Sequence, residues 1–269
     1  MGWQDVAPSE EVEVADWIRD RLHSFGQDVG SIIPPGFAAY ARIFHPATRV
    51  RSTIDDPEIE VRWSEVAAAT GKSVHPEMQF HTIAGHALYA QPPSELAIYG
   101  PQLGVLSKRQ SSALAKLLVR RTTTPEKCWF GLWDGYGDLH PGSQYLQSAV
   151  FVGTGLPRLL RLLALKLRPP RVPEPFTVFP PQLKRVHLPA RDYFLFSGPV
   201  VAAVGWDEGP NLWWPADRAW CVASEIDFPY TYVGGSADLI AEILSDERIE
   251  ALPAALDQRM TADADTLNS

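Results

Sequence analysis

Cysteine is scarce in this chain. Cys128 and Cys221 are the two among 269 residues, which excludes a disulfide framework and makes a reducing cytoplasm the expected location. No run of about 18 apolar residues is present, so no bilayer-spanning helix is expected. The opening MGWQDVAPSEEVEV has neither the basic start nor the apolar stretch of a secretory signal. CxxC, HExxH, GxSxG, SxxK and EF-hand patterns are missing, and with them the most readily recognised metal and nucleophile sites. There is no internal repeat of fixed period. Twenty-four prolines and nineteen glycines fall short of a low-complexity or collagen-like composition.

What is there is ordinary globular material, 45% apolar and 21% charged, with length for one to two domains at ~150 residues each. The net charge of −8 is unevenly placed. Residues 104–191 hold fourteen Lys or Arg against Glu126, Asp134, Asp138 and Glu174. Either the acidic ends lie against this basic middle, or the middle faces nucleic acid or an anionic membrane surface.

Helical spacing of Val14, Trp17, Ile18, Leu22 and Phe25 after Ser9 predicts a helix over 10–25. A strand is expected through Tyr40 to Phe44 and a loop over 49–61. Ser64 and Gly71 bracket a short helix, Pro76 starts another through His81, and Ser107 with Gln110 forms a capping-box pattern for 108–121. Strands are expected at 127–133, 148–155, 192–196, 219–228 and 231–233. Helices are expected at 157–168, where Pro157 sits at the first position, at 199–205, and at 237–245 behind Ser236. Six prolines in 169–181 bar regular structure there, and the last residues, DQRMTADADTLNS, read as frayed. Strands and helices interleave without a βαβ rhythm. That favours an α+β fold, a mixed or antiparallel sheet with short helices. The expected organisation is a single domain, 1–269, with 138–181 as a basic, Pro-rich insertion or linker; the alternative is a split into 1–168 and 182–269.

Partial motifs give little chemistry. Gly71-Lys72-Ser73 resembles the tail of a phosphate loop but follows a helix, and Gly153-Thr154-Gly155 has Arg158 where a dinucleotide fingerprint needs its third glycine. Glu77, His81, His75 and His86 are close enough in sequence to hold a metal or to form capping and core contacts. No recognised metal spacing is present, so neither metal nor cofactor is expected. Cys128 and Cys221 sit beside tryptophan in apolar runs and read as inert. The 157–168 helix is basic on one side and suits either packing or a membrane surface.

Tryptophan is the positive signal. Trp129 and Trp133, then Trp206, Trp213, Trp214 and Trp220, gather near Asp217, Glu225, Asp227, Tyr230 and Tyr232. On a 219–228 strand, Trp220, Val222, Ser224, Ile226 and Phe228 share one face. Cys221, Ala223, Glu225 and Asp227 share the other, where they would floor a cleft. Aromatics beside carboxylates suit a sugar, a cation or a peptide. Trp213, Trp214, Asp217, Glu225, Asp227 and Tyr232 are therefore the candidate contact residues of a non-enzymatic module for a protein partner or small ligand. The alternative is a hydrolase or transferase using Glu225 and Asp227 as acid and base. These tryptophans also suit a core.

The segments IIPPGFAAYARIFHPA, RWSEVAAATGKSVHPEMQF, CWFGLWDGYG, RDYFLFSGP and NLWWPADRAWCVASEIDFPYTYVGGS resemble those of an actinobacterial protein family of unknown function. The resemblance spans most of the chain and implies a soluble cytoplasmic protein, with no catalytic residues to carry over. The order of elements in 191–246 is similar to SMI1/KNR4-type immunity domains, a likeness of fold alone.

Overall fold

A computed structural model describes residues 5–26, 28–49, 59–85, 98–136, 183–206 and 209–269. The expectations for 148–155, 157–168, 169–181, the 138–181 insertion and His86 lie outside the described residues. Backbone contacts divide the chain into one unit of residues 1–133 with 184–269 and another of 134–183. The first holds nearly all described residues.

Its strands are β1 (Ala7–Pro8), β2 (Ala39–Phe44), β3 (Ala47–Arg49), β4 (Ile59–Val61), β5 (Ile98–Tyr99), β6 (Cys128–Trp133), β7 (Arg185–Leu188), β8 (Arg191–Gly198), β9 (Leu212–Pro215), β10 (Cys221–Ser224), β11 (Tyr230–Gly235) and β12 (Ala251–Ala254). Its helices are α1 (Asp16–Arg19), α2 (Trp63–Thr70), α3 (Phe80–Ala84), α4 (Lys108–Val119) and α5 (Ala237–Ser245). Nine strands form one antiparallel sheet in the order β1-β8-β6-β9-β10-β11-β2-β12, with β7 also paired to β8; β4-β3-β5 form a second. This is an α+β protein. The prolines Pro8 and Pro253 fall on the edge strands β1 and β12, where a missing N–H costs no ladder bond.

Both faces of the large sheet are covered. Register sets Trp129 opposite Trp214 and Phe130 opposite Trp213, so successive tryptophans of β9 go to opposite faces. On one face Trp17 meets Trp214 edge-on at 6.4 Å, and Trp63 of α2 packs on Phe44 at 4.7 Å. On the other, Trp213, Trp220, Phe130 and Trp206 interlock, and the Trp220 indole donates to the Leu118 carbonyl of α4.

Several expectations change. The 10–25 helix shrinks to a 3-10 turn, Val12–Ala15, and α1. Ser9 does not cap it: its N–H donates to the Leu195 carbonyl and its hydroxyl accepts from the Glu11 N–H, ahead of the first helical residue; the sheet edge has claimed the segment. Strand β10 stops at Ser224, and Glu225 to Phe228 form a turn. The capping box at Ser107 is half made: Ser107 accepts from the Gln110 N–H, while the Gln110 amide donates instead to the Phe44 carbonyl. Gly71 does end α2 in the left-handed conformation. The basic stretch meets the acidic ends at several points, with Arg109 near Glu60, Arg120 and Arg121 on Glu242, and Arg191 on Glu225 and Asp227.

The C-terminal residues are not frayed. Asp265 and Asn268 are buried. The Asp265 carboxylate accepts from the Gln79 N–H, the Asn268 N–H and side-chain amide, and it pairs with His75 at 2.8 Å. The Met260 carbonyl takes the Tyr230 hydroxyl.

Candidate functional site

Trp213, Trp214 and Tyr232 are 2%, 1% and 2% exposed. They were expected on a contact surface and lie in the core. Trp213 is packed between Phe130 and Trp220, Trp214 against Trp17, and Tyr232 edge-on to Tyr230 at 5.6 Å. A sheet covered on both faces leaves no open side for alternate residues to present. Cys221 and Ala223, expected to floor a cleft, are buried for the same reason.

Asp217 is exposed but committed to structure. It accepts from the Thr122 hydroxyl, the Thr123 N–H and hydroxyl, and the Ala219 N–H, pinning the loop before β6 to the β9–β10 turn. Burial works against its charge, yet these hydrogen bonds outweigh it and hold the carboxyl below its ordinary range.

Glu225 and Asp227 do come together, and the group that joins them is one the sequence did not single out, Arg191. This arginine follows the two-residue turn Pro189-Ala190 between β7 and β8. Its Nε and Nη2 donate to Glu225 Oε1 at 3.1 and 2.7 Å, and Nη2 reaches Asp227 Oδ2 at 3.2 Å. The guanidinium lies 5.0 Å from the Phe25 ring and 5.6 Å from that of Trp133. Two carboxylates thus share one cation between two aromatic rings. The Glu225 side chain is 4% exposed and that of Asp227 66%. Burial pushes the Glu225 carboxyl up, against the opposing pull of Arg191. Beside it, Ser31, Tyr193 and Asn211 help line a cavity of about 20 Å3, enough for one water.

On the opposite face runs a buried polar line. Ser224 Oγ lies 2.6 Å from Thr231 Oγ1, which lies 2.8 Å from His45 Nε2; His45 Nδ1 lies 2.8 Å from the Gln102 carbonyl. A carbonyl only accepts, so Nδ1 carries the proton, Thr231 donates to Nε2, and Ser224 donates to Thr231. Burial pushes His45 down to about 4, the Gln102 carbonyl opposing weakly. Register foreshadows this contact in that Ser224 pairs with Thr231, but nothing local in the sequence points to His45.

The remaining motifs resolve into packing. The Lys72 ammonium donates to the Asn268 carbonyl and the Ser73 N–H to its side chain, so Gly71-Lys72-Ser73 holds the C-terminal segment. Glu77 accepts from the Arg259 N–H. Among the described residues no group of three or more His, Cys, Asp or Glu could hold a metal. Burial pushes the thiols of Cys128 and Cys221 up. No helix among the described residues is long and apolar enough to cross a membrane.

Fold and site together define an α+β protein with an aromatic–acidic, arginine-centred mouth at one end of its sheet. Comparison with family models, curated proteins and solved structures returned no match.

Proposed function

We propose that the chain is a non-enzymatic binding module that takes a cationic side chain of a protein partner at the mouth formed by Asp227, Glu225, Phe25 and Trp133. The observation that carries this reading is the charge count there: one guanidinium serves two carboxylates, and the outer one, Asp227, is open to solvent. Arg191 occupies the position between two rings that an incoming lysine or arginine would favour, so its own contacts are a template for what the mouth recognises. The acidic balance outside 104–191 would draw a basic segment toward it.

The test is isothermal titration with an Arg/Ser decapeptide and a Glu/Ser decapeptide of equal length. The basic peptide is expected to bind alone, to weaken with salt, and to lose about five-fold on Asp227→Asn, the worth of a surface pair near 1 kcal/mol. Equal binding of both peptides, or indifference to Asp227→Asn, would remove the mouth as the recognition surface.

One observation favours a second reading, a hydrolase or transferase. Glu225 is buried beside a water-sized cavity with its carboxyl pushed up, as a general acid requires. Under it Glu225 donates the proton and Asp227 acts as base. Turnover of a chromogenic ester or glycoside, abolished by Glu225→Gln, would establish it.

A further inference from the structure

Trp17 carries two cations at once. The guanidinium carbon of Arg21, just past α1, stands 5.6 Å from its ring, and that of Arg218, in the β9–β10 turn, stands 5.5 Å from it. A third cation continues the row. Lys127 Nζ lies 5.2 Å over Trp129, which register sets opposite Trp214, the indole that meets Trp17 edge-on. All three cations are exposed, while the indoles behind them are buried. Contact with a ring gives these cations attraction but no counter-charge.

Among the described residues none of the three has a carboxylate within ion-pair distance, Glu126 beside Lys127 included. Asp16 and Asp20, the acids nearest Arg21 in sequence, pair with Arg19 at 2.8 and 3.1 Å. Asp217, beside Arg218, accepts from Thr122, Thr123 and Ala219. Arg21 gives one hydrogen bond, from Nη1 to the Pro35 carbonyl at 3.3 Å. Two further observations point to a ligand. The Trp17 side chain is 8% exposed, and its buried Nε1–H has no acceptor among the described residues, a state in which few buried donors are left. Arg218 has φ of 57°, the left-handed region that favours glycine, so the turn by itself does not call for arginine.

We propose that Arg21, Arg218 and the Trp17 indole form a site for a phosphate monoester dianion. Guanidinium forks match phosphate oxygens, and two charges on one group answer two cations that no carboxylate answers. A phosphodiester or a carboxylate would answer one of them. An oxygen of the group accepts from the Trp17 Nε1–H at the ring edge, and Lys127 flanks the site along the row of indoles.

Isothermal titration of the full chain at pH 8, where the monoester is a dianion, and at fixed ionic strength tests this. The probes are a Ser/Gly decapeptide with one phosphoserine, the same peptide unphosphorylated, inorganic phosphate, and oligothymidine without a terminal phosphate. The phosphopeptide is expected to bind about ten-fold more tightly than its unphosphorylated form. Arg21→Gln and Arg218→Gln should each remove most of that advantage, since a charge-assisted bond contributes on this scale. Lys116→Gln, at an exposed cation of α4, should leave it unchanged. Inorganic phosphate binding at least as tightly as the phosphopeptide would identify the free ion as the ligand, and weaker binding a phosphorylated side chain; either keeps the site. Nitrogen-15 NMR supplies the location: the Trp17 indole N–H, assigned by its absence in Trp17→Phe, should shift when the phosphopeptide is added. Oligothymidine binding best, no preference for the phosphorylated peptide, an advantage that survives both arginine substitutions, or an unmoved Trp17 indole resonance would each overturn the assignment.

Discussion

Arg42 and Arg191 rest guanidiniums against aromatic rings on the same face of the large sheet, but one of the two has carboxylates for partners. Arg42, on β2, is 1% exposed. It lies 3.7 Å from the Tyr230 ring and 5.0 Å from Phe44, and it donates once, to the Pro76 carbonyl. Among the described residues its Nε and Nη2 have no hydrogen-bond partner. Arg191 has both ring contacts and ion pairs and keeps one side toward water. A guanidinium enclosed by rings loses its hydration without a counter-charge in return, so its volume and flat contact should matter more than its charge. A guanidinium at the mouth has the reverse balance, since its charge opposes the burial that pushes the Glu225 carboxyl up.

The largest expected effect follows from Arg42. Arg42→Ala removes the ring packing and should cost about 3–5 kcal/mol in chemical denaturation, the range for large core truncations. Arg42→Met keeps most of the volume and discards the charge, and it should fall within about 1.5 kcal/mol of wild type or above it. If methionine proves as damaging as alanine, the carbonyl bond and the cation–ring contacts dominate, and the contrast with Arg191 fails.

Acid titration separates interior from mouth by sign. His45 has its pKa lowered from 6.5 to about 4, so the unfolded chain takes up its proton first. Its contribution is complete above pH 6.5 and disappears as pH falls from there to about 4. The difference amounts to roughly 3 kcal/mol at 1.36 kcal/mol per unit. His45→Gln should flatten this acid limb of the stability curve.

Glu225 runs the other way. Its carboxyl is raised in the fold, so the stability it adds is present below the ordinary carboxylate range and is lost as pH climbs through the raised value. Arg191→Met strands its charge and should cost about 1–3 kcal/mol at pH 7, with much of that recovered once acid neutralises Glu225. A cost independent of pH would mean Arg191 works by packing, as Arg42 does.

How much of this the sequence foretold varies with the range of the interaction involved. Local signals served well: the apolar run at β6, Ser236 as the cap of α5, Gly71 closing α2, and the absence of a βαβ rhythm. Alternation along β10 correctly separated Trp220 and Val222 from Cys221 and Ala223, but periodicity reports which residues share a face and not whether that face is covered. The tryptophans therefore looked like a ligand surface when helices and the N-terminal segment already occupied both sides. Polarity misled in the same way at the C-terminus, where Asp265 and Asn268 find partners nearly two hundred residues away. At the mouth, Glu225 and Asp227 stood out as neighbours. Arg191 did not, because it is separated from them by more than thirty residues and joins them through sheet topology alone.

The smallest effect concerns how Arg191 is delivered to the mouth. Leu188 pairs with Arg191 across the two-residue turn Pro189-Ala190, and Ala190 has φ of 68°. Proline followed by a left-handed residue is the pattern of a type II turn, whose second central position favours glycine. Alanine there costs ~1–2 kcal/mol in backbone sterics, whereas glycine would enlarge the unfolded ensemble and return part of that gain. Ala190→Gly should therefore stabilise the chain by about 0.5–1 kcal/mol. Because the turn geometry is unchanged, the pH dependence assigned to the Arg191–Glu225 pair should persist. Arg42 sits within regular β2 and has no such turn to relieve. A loss of stability on Ala190→Gly would show that the alanine methyl makes a contact worth more than the strain, and that the hairpin holds Arg191 by packing instead of by turn geometry.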